Sequence, residues 1–201
     1  MKNRSLKTLV ECAVMIAMAT VLSMFKIIEM PLGGTITIAS MLPIAVFSYR
    51  HGVKWGLVCA FLCSCIQLVL GLNNLAYGKT FLAVLAIIFF DYIIAFSCIG
   101  LAGIFKKQNS SIAQTSLRFG AGLTISVVLR FLCHLVSGAV VWYELTKEWY
   151  PDPGYIHDVV NSHGAWTYSF IYNVTYMGPE LVITLILGIL CIGVITKANS
   201  R

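Results

Sequence analysis

Charged side chains are scarce in this chain of 201 residues. Asp, Glu, Lys and Arg make up only 11% of it, whereas hydrophobic residues make up 59%. A soluble globular domain carries about 25% charged residues, so too few are present here to cover a surface in contact with water. This shortage excludes a soluble enzyme and a disordered tail. It also means that the net charge of +6 reports membrane orientation and does not indicate nucleic-acid binding.

Closely spaced cysteines and catalytic signatures are lacking as well. The seven cysteines lie inside apolar runs and form no CxxC pair, although zinc sites need such spacing. We therefore predict packing or lipid-facing cysteines and no metal site. HExxH and GxSxG motifs are missing. Gly78-Lys79-Thr80 matches the end of a phosphate-binding loop, but Asn73 replaces its first glycine. The sequence thus predicts neither an enzyme nor a resident cofactor.

Long apolar runs are abundant, and six of them approach the length of a membrane-spanning helix, about 17–25 residues. They cover residues 6–25, 35–49, 55–72, 81–105, 119–143 and 166–195. The first run resembles a signal peptide, but its apolar pattern continues past Ala19, which favours a retained helix. We find no internal repeat or second domain. The sequence therefore predicts an all-α, polytopic membrane protein: one domain over 1–201, a bundle of six transmembrane helices.

Basic residues are distributed unequally between the two sides of this predicted bundle. Ten of the 14 Lys and Arg residues fall at the N-terminus, the C-terminal tail and the loops on that side, and three fall in the opposite loops. Cytoplasmic loops carry the excess of basic residues in membrane proteins. We therefore expect both termini to be cytoplasmic, and the long loop at 144–165 to be extracytoplasmic.

Four charged residues fall within the predicted spans, where charges are rare and usually functional. They are Glu11, Asp91, Arg130 and Glu180. Glu11 lies about one turn inside the cytoplasmic face and is expected to reach the interface. For Arg130, we expect an internal ion pair with Glu180 or Glu11.

Asp91 and His134 fall at similar depths in neighbouring spans. At 1.5 Å per residue, Asp91 lies about 15 Å below the outer end of its span and His134 about 13 Å below the outer end of its own. Both are titratable, so we predict a shared polar pocket that opens outward. His134 as a packing histidine is the simpler alternative.

Aromatic and amide side chains are found near the same level. Trp142 follows His134 by eight residues, on one broad helix face, and Tyr92 follows Asp91. A tyrosine stripe with a neighbouring amide occupies the outer half of the last span: Tyr168, Tyr172, Tyr176 and Asn173. An interfacial aromatic belt explains outer Trp and Tyr residues, but not a buried amide. Because aromatic faces attract cations, the set suits a flat, cationic ligand.

The ordered set of motifs resembles the substrate-binding (S) components of energy-coupling factor vitamin transporters, and among them the thiamine-specific ThiT/YuaJ family. The matching stretches are MPLGGT at 30–35, MLPI at 41–44, YRHGVKWGL at 49–57, DY at 91–92, AF at 95–96, GLAG at 100–103, LRF at 129–131 with His134, Ser137 and Gly138, and YS at 168–169 with YN at 172–173. The likeness covers all six predicted spans, the first through Ala13 and Ala17.

The resemblance implies a role for each matching residue. The family's ligand-binding residues fall on Asp91, Tyr92, His134, Trp142, Tyr168 and Asn173. Tyr168 and Asn173 are about 140° apart on a regular helix, so we expect Tyr168 to precede that helix if both contact ligand. The small-residue motif that docks on the transmembrane T subunit falls on Ala13 and Ala17, an i, i+4 pair that permits close helix approach.

The implied protein is a six-helix binding subunit in a bacterial plasma membrane, with an outward pocket capped by the first outer loop. It binds thiamine, has no cofactor, and relies on a T subunit and two ATPase subunits. Three alternatives stay open: the same architecture for another heterocycle such as a thiamine precursor, a stand-alone secondary transporter, and an intramembrane enzyme that uses His134 and Asp91. No nucleophile or metal set supports the last.

Overall fold

A computed structural model describes residues 2–30, 33–108 and 110–199. In chain order, the regular elements are α1 Lys2–Met24, β1 Lys26–Glu29, β2 Thr35–Thr37, α2 Leu42–His51, α3 Val53–Leu70, a 3-10 segment Leu72–Tyr77, α4 Phe81–Ala86, a π-helical segment Ile87–Ile93, α5 Ile94–Ser97, a 3-10 segment Cys98–Gly103, α6 Ile112–Ser137, a second π-helical segment Gly138–Trp142, α7 Tyr143–Trp149, α8 Tyr155–Ser162 and α9 Ala165–Asn199. The protein is therefore helical throughout, apart from one hairpin.

Five helical stretches of the described chain are long and apolar enough to cross a membrane: Ser5–Met24, Val53–Leu70, Phe81–Gly103, Ile112–Trp149 and Ala165–Lys197. These confirm five of the six predicted spans and the all-α bundle. The segment predicted at 35–49 differs, because it is not one helix. It consists of strand β2, a turn, and the ten-residue helix α2, in which residues 43–49 are all buried. Neighbouring helices shield this segment, so it needs no full lipid-facing span.

The polypeptide runs back and forth between two ends of the bundle. At one end, Glu11 of α1 contacts Arg50 and His51 of α2, and Lys106 donates to the carbonyl of Arg50. At the other end, Gln67 of α3 donates to Ser23 of α1 at 3.1 Å. Ile112 at the start of α6 lies beside Gly193 in the last turns of α9. The beginning of α1 and the last turns of α9 therefore lie at the same end.

Small residues allow the helices of this bundle to pack closely. A Cβ atom on Gly56 of α3 would lie 2.5 Å from the carbonyl oxygen of Gly100. Between these elements, the Ser48 hydroxyl donates to the same carbonyl at 2.5 Å. Close backbone approach of this kind is typical of helix interfaces in membranes, where small residues replace a hydrophobic driving force.

Candidate functional site

A cavity of about 460 Å³ opens at the end of the bundle where α1 ends. This volume is typical of small-molecule sites. The cavity is bordered by all six residues predicted to bind ligand: Asp91, Tyr92, His134, Trp142, Tyr168 and Asn173. The structure thus brings together residues that are up to 82 positions apart in sequence (173 − 91). Their role in binding stays a prediction.

Asp91 contacts three polar side chains at this cavity. One oxygen, Oδ2, accepts hydrogen bonds from the Ser137 hydroxyl at 2.8 Å and from the Trp142 indole at 2.9 Å. The other, Oδ1, lies 3.2 Å from Nδ1 of His134. Only 13% of the Asp91 side chain is exposed. Two donors and an imidazole nitrogen thus surround this largely buried carboxyl and fix its orientation, because a carboxylate accepts at both oxygens.

Two π-helical segments position this cluster. Asp91 lies within the segment Ile87–Ile93, and Trp142 ends the segment Gly138–Trp142. A π turn closes its hydrogen bonds over i→i+5 and contains an extra residue, so it changes the direction of the side chains around it. Such segments occur often at functional sites. The hydrophobic pattern does not signal them, and the sequence analysis missed both.

Arg130 and His134 continue the cluster toward the centre of the bundle. The Arg130 Nε group donates to Nε2 of His134 at 3.2 Å. Its Nη1 lies 2.7 Å from the Met41 sulfur, and its guanidinium lies 4.2 Å from the centroid of the Phe96 ring. The predicted ion pair of Arg130 with Glu180 or Glu11 is wrong, since none of the ion pairs among the described residues includes Arg130. Glu11 pairs instead with Arg50 and His51.

An aromatic wall from α9 forms the opposite side of the cavity. The rings of Tyr168 and Tyr172 are 6.1 Å apart, and those of Tyr172 and Tyr176 are 5.9 Å apart. Buried Asn173 accepts from the Tyr176 hydroxyl at 2.7 Å and donates to the Ser169 carbonyl at 2.8 Å. The wall is therefore fixed by its own hydrogen bonds.

One expectation about local geometry needs correction. Tyr168 lies inside α9, which begins at Ala165, and it still borders the cavity together with Asn173. A tyrosine side chain is long enough to reach the cavity from a flank of the helix. Gly138 borders the cavity as well and allows α9 to approach: a Cβ there would lie 2.1 Å from Ser169 Oγ.

A hairpin between α1 and α2 covers the cavity and is tied to α9. Strands β1 and β2 pair antiparallel. Glu180 of α9 accepts from the Thr37 amide at 2.5 Å and from its hydroxyl at 2.6 Å. Gly34 fits directly against the Tyr176 ring, which lies 2.7 Å from where a Cβ atom would be. Glu180, noted in the sequence only as an intramembrane charge, therefore holds the hairpin in place.

The segment between α3 and α4 forms a second edge of the cavity, which the sequence analysis did not assign. Asn74 donates to the Tyr92 hydroxyl at 2.8 Å. The ring of Tyr77 packs edge-on against Trp142 and Trp149, with centroids 6.0 Å and 4.8 Å away. In the sequence, the only indication of this second edge was a loop in which polar and aromatic residues lie close together.

The two candidate docking residues lie away from the cavity. Ala13 and Ala17 are exposed on α1, beside exposed apolar residues such as Val10 and Val21. Glu11 does not simply extend to the interface: it joins α1 to α2 through Arg50 at 2.5 Å and His51 at 3.0 Å.

The fold and the site together define a polytopic membrane protein with a ligand-sized cavity at the bundle end opposite the start of α1. Comparison with known proteins narrows this class. The thiamine transporter protein (Thia_YuaJ) family model matches residues 9–199. Thiamine transporter ThiT of Bacillus subtilis (strain 168) is 32% identical over 199 residues, which cover 95% of this chain and 92% of that protein. The chain belongs to the thiamine transporter family, and the resemblance seen in its motifs is confirmed.

A solved structure supports the fold. ThiT from Listeria monocytogenes superposes with a TM-score of 0.70 at 22% identity, covering 98% of this chain and 97% of that one. The membership and the apolar helices identify this protein as a multi-pass protein of the cell membrane that takes part in transport.

Proposed function

We propose that this protein binds thiamine in the cavity beside Asp91 and delivers it as the substrate-binding subunit of an ATP-driven importer. Asp91 is the observation that carries the ligand assignment. Its carboxylate faces a cavity walled by Trp142 and the α9 tyrosines. Thiamine is a flat permanent cation, and such a ligand is favoured by a carboxylate and by aromatic faces.

The balance of charge around the cavity supports a cationic ligand. Two carboxylates, Asp91 and Glu180, border it, against one guanidinium, Arg130. Lys26 at the edge is already paired with Glu29 at 2.6 Å. The cavity therefore has an excess of negative charge, which a monocation neutralises in a low-dielectric environment.

The excess of basic residues at one end supports an outward orientation of the cavity. That end carries the beginning of α1, the 50–54 turn and the 104–111 loop, which hold seven of the 14 Lys and Arg residues. It also carries the last turns of α9, with Lys197. By the positive-inside rule this end is cytoplasmic. The cavity, at the opposite end, then faces the outside, where a vitamin is captured.

Coupling to an ATPase is proposed from the family resemblance and from α1. A T subunit would dock on the exposed face that carries Ala13 and Ala17, with two ATPase subunits supplying the energy. Small residues at i and i+4 let a partner helix approach closely in lipid.

The decisive test of the ligand is calorimetric titration of the purified protein with thiamine, with its separate pyrimidine and thiazole precursors, and with an unrelated cationic heterocycle. Tight binding of thiamine alone is expected. Preferential binding of one precursor would reassign the ligand, and no binding of any of these compounds would refute the proposed function.

A further inference from the structure

Arg130 is a part-buried cation near the middle of the bundle, and no carboxylate among the described residues forms an ion pair with it. Its guanidinium lies against the Phe96 ring and the Met41 sulfur. Among the described residues, it donates to one nitrogen atom, Nε2 of His134, at 3.2 Å. A charge within a membrane is costly, so a specific task for this side chain is expected.

The direction of the Arg130–His134 hydrogen bond fixes the protonation of the histidine. A guanidinium has no acceptor, so Nε2 of His134 must contribute a lone pair. The imidazole proton then lies on Nδ1, which is 3.2 Å from Asp91 Oδ1. His134 is therefore neutral and donates to Asp91, and hydrogen bonds run in one direction from Arg130 through His134 to Asp91.

Protonation of His134 would break this arrangement. An imidazolium has a proton on Nε2 and would face the Nε–H of Arg130, donor against donor and cation against cation. It would also neutralise Asp91. The other ionisable groups bordering this part of the cavity are Tyr92, Tyr172, Glu180 and Tyr176, whose ring centroid is 6.5 Å from that of His134. The thiols of Cys63, Cys98 and Cys133 lie near Arg130. Neither Tyr176 nor Glu180 is a hydrogen-bond partner of the imidazole.

We propose that Arg130 is a positioning residue that holds His134 as its neutral Nδ1–H tautomer and so leaves the charge of Asp91 uncompensated and its carboxylate correctly oriented for a cationic ligand. This inference rests on the proposed function, because the ligand is bound at Asp91. Arg130 acts through His134 and makes ligand affinity independent of pH across the range in which histidines ordinarily titrate.

The test is thiamine titration of the full-length protein between about pH 8 and about pH 5.5, where an ordinary imidazole changes from neutral to about nine-tenths protonated. Wild-type affinity should change less than about twofold. Arg130→Met should weaken binding and lose a further factor of about ten toward acid pH, as His134 takes up a proton. A merely structural role predicts a loss that does not depend on pH.

Two matched variants test whether protonation of His134 causes the loss of affinity at acid pH. Arg130→Lys retains a cationic donor that can reach Nε2, so it should restore the flat pH profile even if affinity is reduced. Adding His134→Gln to Arg130→Met removes the group that titrates and should also flatten the profile. A flat profile in Arg130→Met, or the same acid loss in wild type, overturns the inference.

A second measurement does not depend on thiamine or on the stability of Arg130→Met. Imidazole ¹⁵N spectra of the wild-type protein, assigned by His134→Gln among the four histidines, should show His134 with a bare Nε2 at about pH 6. An imidazolium or an Nε2–H tautomer there overturns the inference. Failure of the wild type to bind thiamine would refute the proposed function and leave this spectrum as an independent test.

Discussion

At the scale of single residues, the site is organised around one carboxylate. Asp91 accepts hydrogen bonds from a hydroxyl and an indole and contacts an imidazole nitrogen, all from the 134–142 stretch. Each donor orients the carboxylate and none neutralises it. Trp142 is held in place by its indole N–H, so the ring that is expected to stack on ligand is fixed before ligand arrives. Pre-organisation of this kind raises affinity by lowering the entropy lost on binding.

Replacing Asp91 with Asn should weaken thiamine binding by roughly ten- to a hundredfold. The change removes the charge, and hydrogen bonds to charged groups contribute about 1.5–3 kcal/mol. Titration calorimetry measures the loss, and Ser137→Ala is a matched control that removes one donor to the carboxylate but leaves its charge. The control should lose much less affinity.

An uncharged analogue with the same ring shapes sharpens this prediction. It should bind the wild type more weakly than thiamine does. In Asp91→Asn, the difference in affinity between the analogue and thiamine should be much smaller. Unchanged thiamine affinity in Asp91→Asn would mean that the carboxylate is structural.

At the scale of elements, the two sides of helix α1 have different surroundings. Its inner side contacts α2 and α3 through Glu11, Cys12 and Ser23. Its outer side is a broad apolar face interrupted by Ala13 and Ala17. Because these alanines lie away from the cavity, a change there can impair a partner's approach without touching the ligand site.

Replacing Ala17 with Trp should abolish uptake in cells and leave thiamine binding of the purified subunit within about twofold of wild type. A bulky ring would keep a partner helix from close approach. Met18→Trp is the matched control: it exchanges one large exposed residue for another about 100° around the same helix, and uptake should persist. Equal loss of binding and uptake in Ala17→Trp would show that the position serves internal packing instead.

At the scale of the whole molecule, the described residues form a helical bundle with a ligand-sized cavity at one end. A shielded segment, β2 followed by α2, takes the place of a sixth long helix. The hairpin and the 71–80 segment both fold over the end that holds the cavity. We expect ligand to enter from that end, and we expect the proposed partner complex to drive the larger motion that transport requires.

Reconstituted alone in lipid vesicles, the protein should bind thiamine but not accumulate it when a proton or sodium gradient is imposed. The proposed energy source is ATP hydrolysis by separate subunits, so an ion gradient should have no effect. Radiolabelled thiamine uptake measures this, with vesicles that also contain the T and ATPase subunits as the positive control. Gradient-driven accumulation by the isolated chain would favour a stand-alone secondary transporter.

The sequence by itself determined the long apolar helices, the family, and the depth of the main site residues. Depth follows from sequence because a helix rises a constant 1.5 Å per residue, so Asp91 and His134 could be matched by counting from the ends of their spans. The orientation of the protein in the membrane is also inferred from the sequence, from the number of basic residues in the loops on each side, and it stays a prediction.

The tertiary structure decided which of these groups touch. Rotation about a helix axis depends on packing and on the π turns near Asp91 and Trp142, which leave no pattern in hydrophobicity. The hydrogen bond between Thr37 and Glu180 joins residues 143 positions apart. Arg130 donates a hydrogen bond to His134 and does not form the expected ion pair with a carboxylate. Which side chains become partners depends on the positions of several helices at once, and the local sequence does not predict those positions.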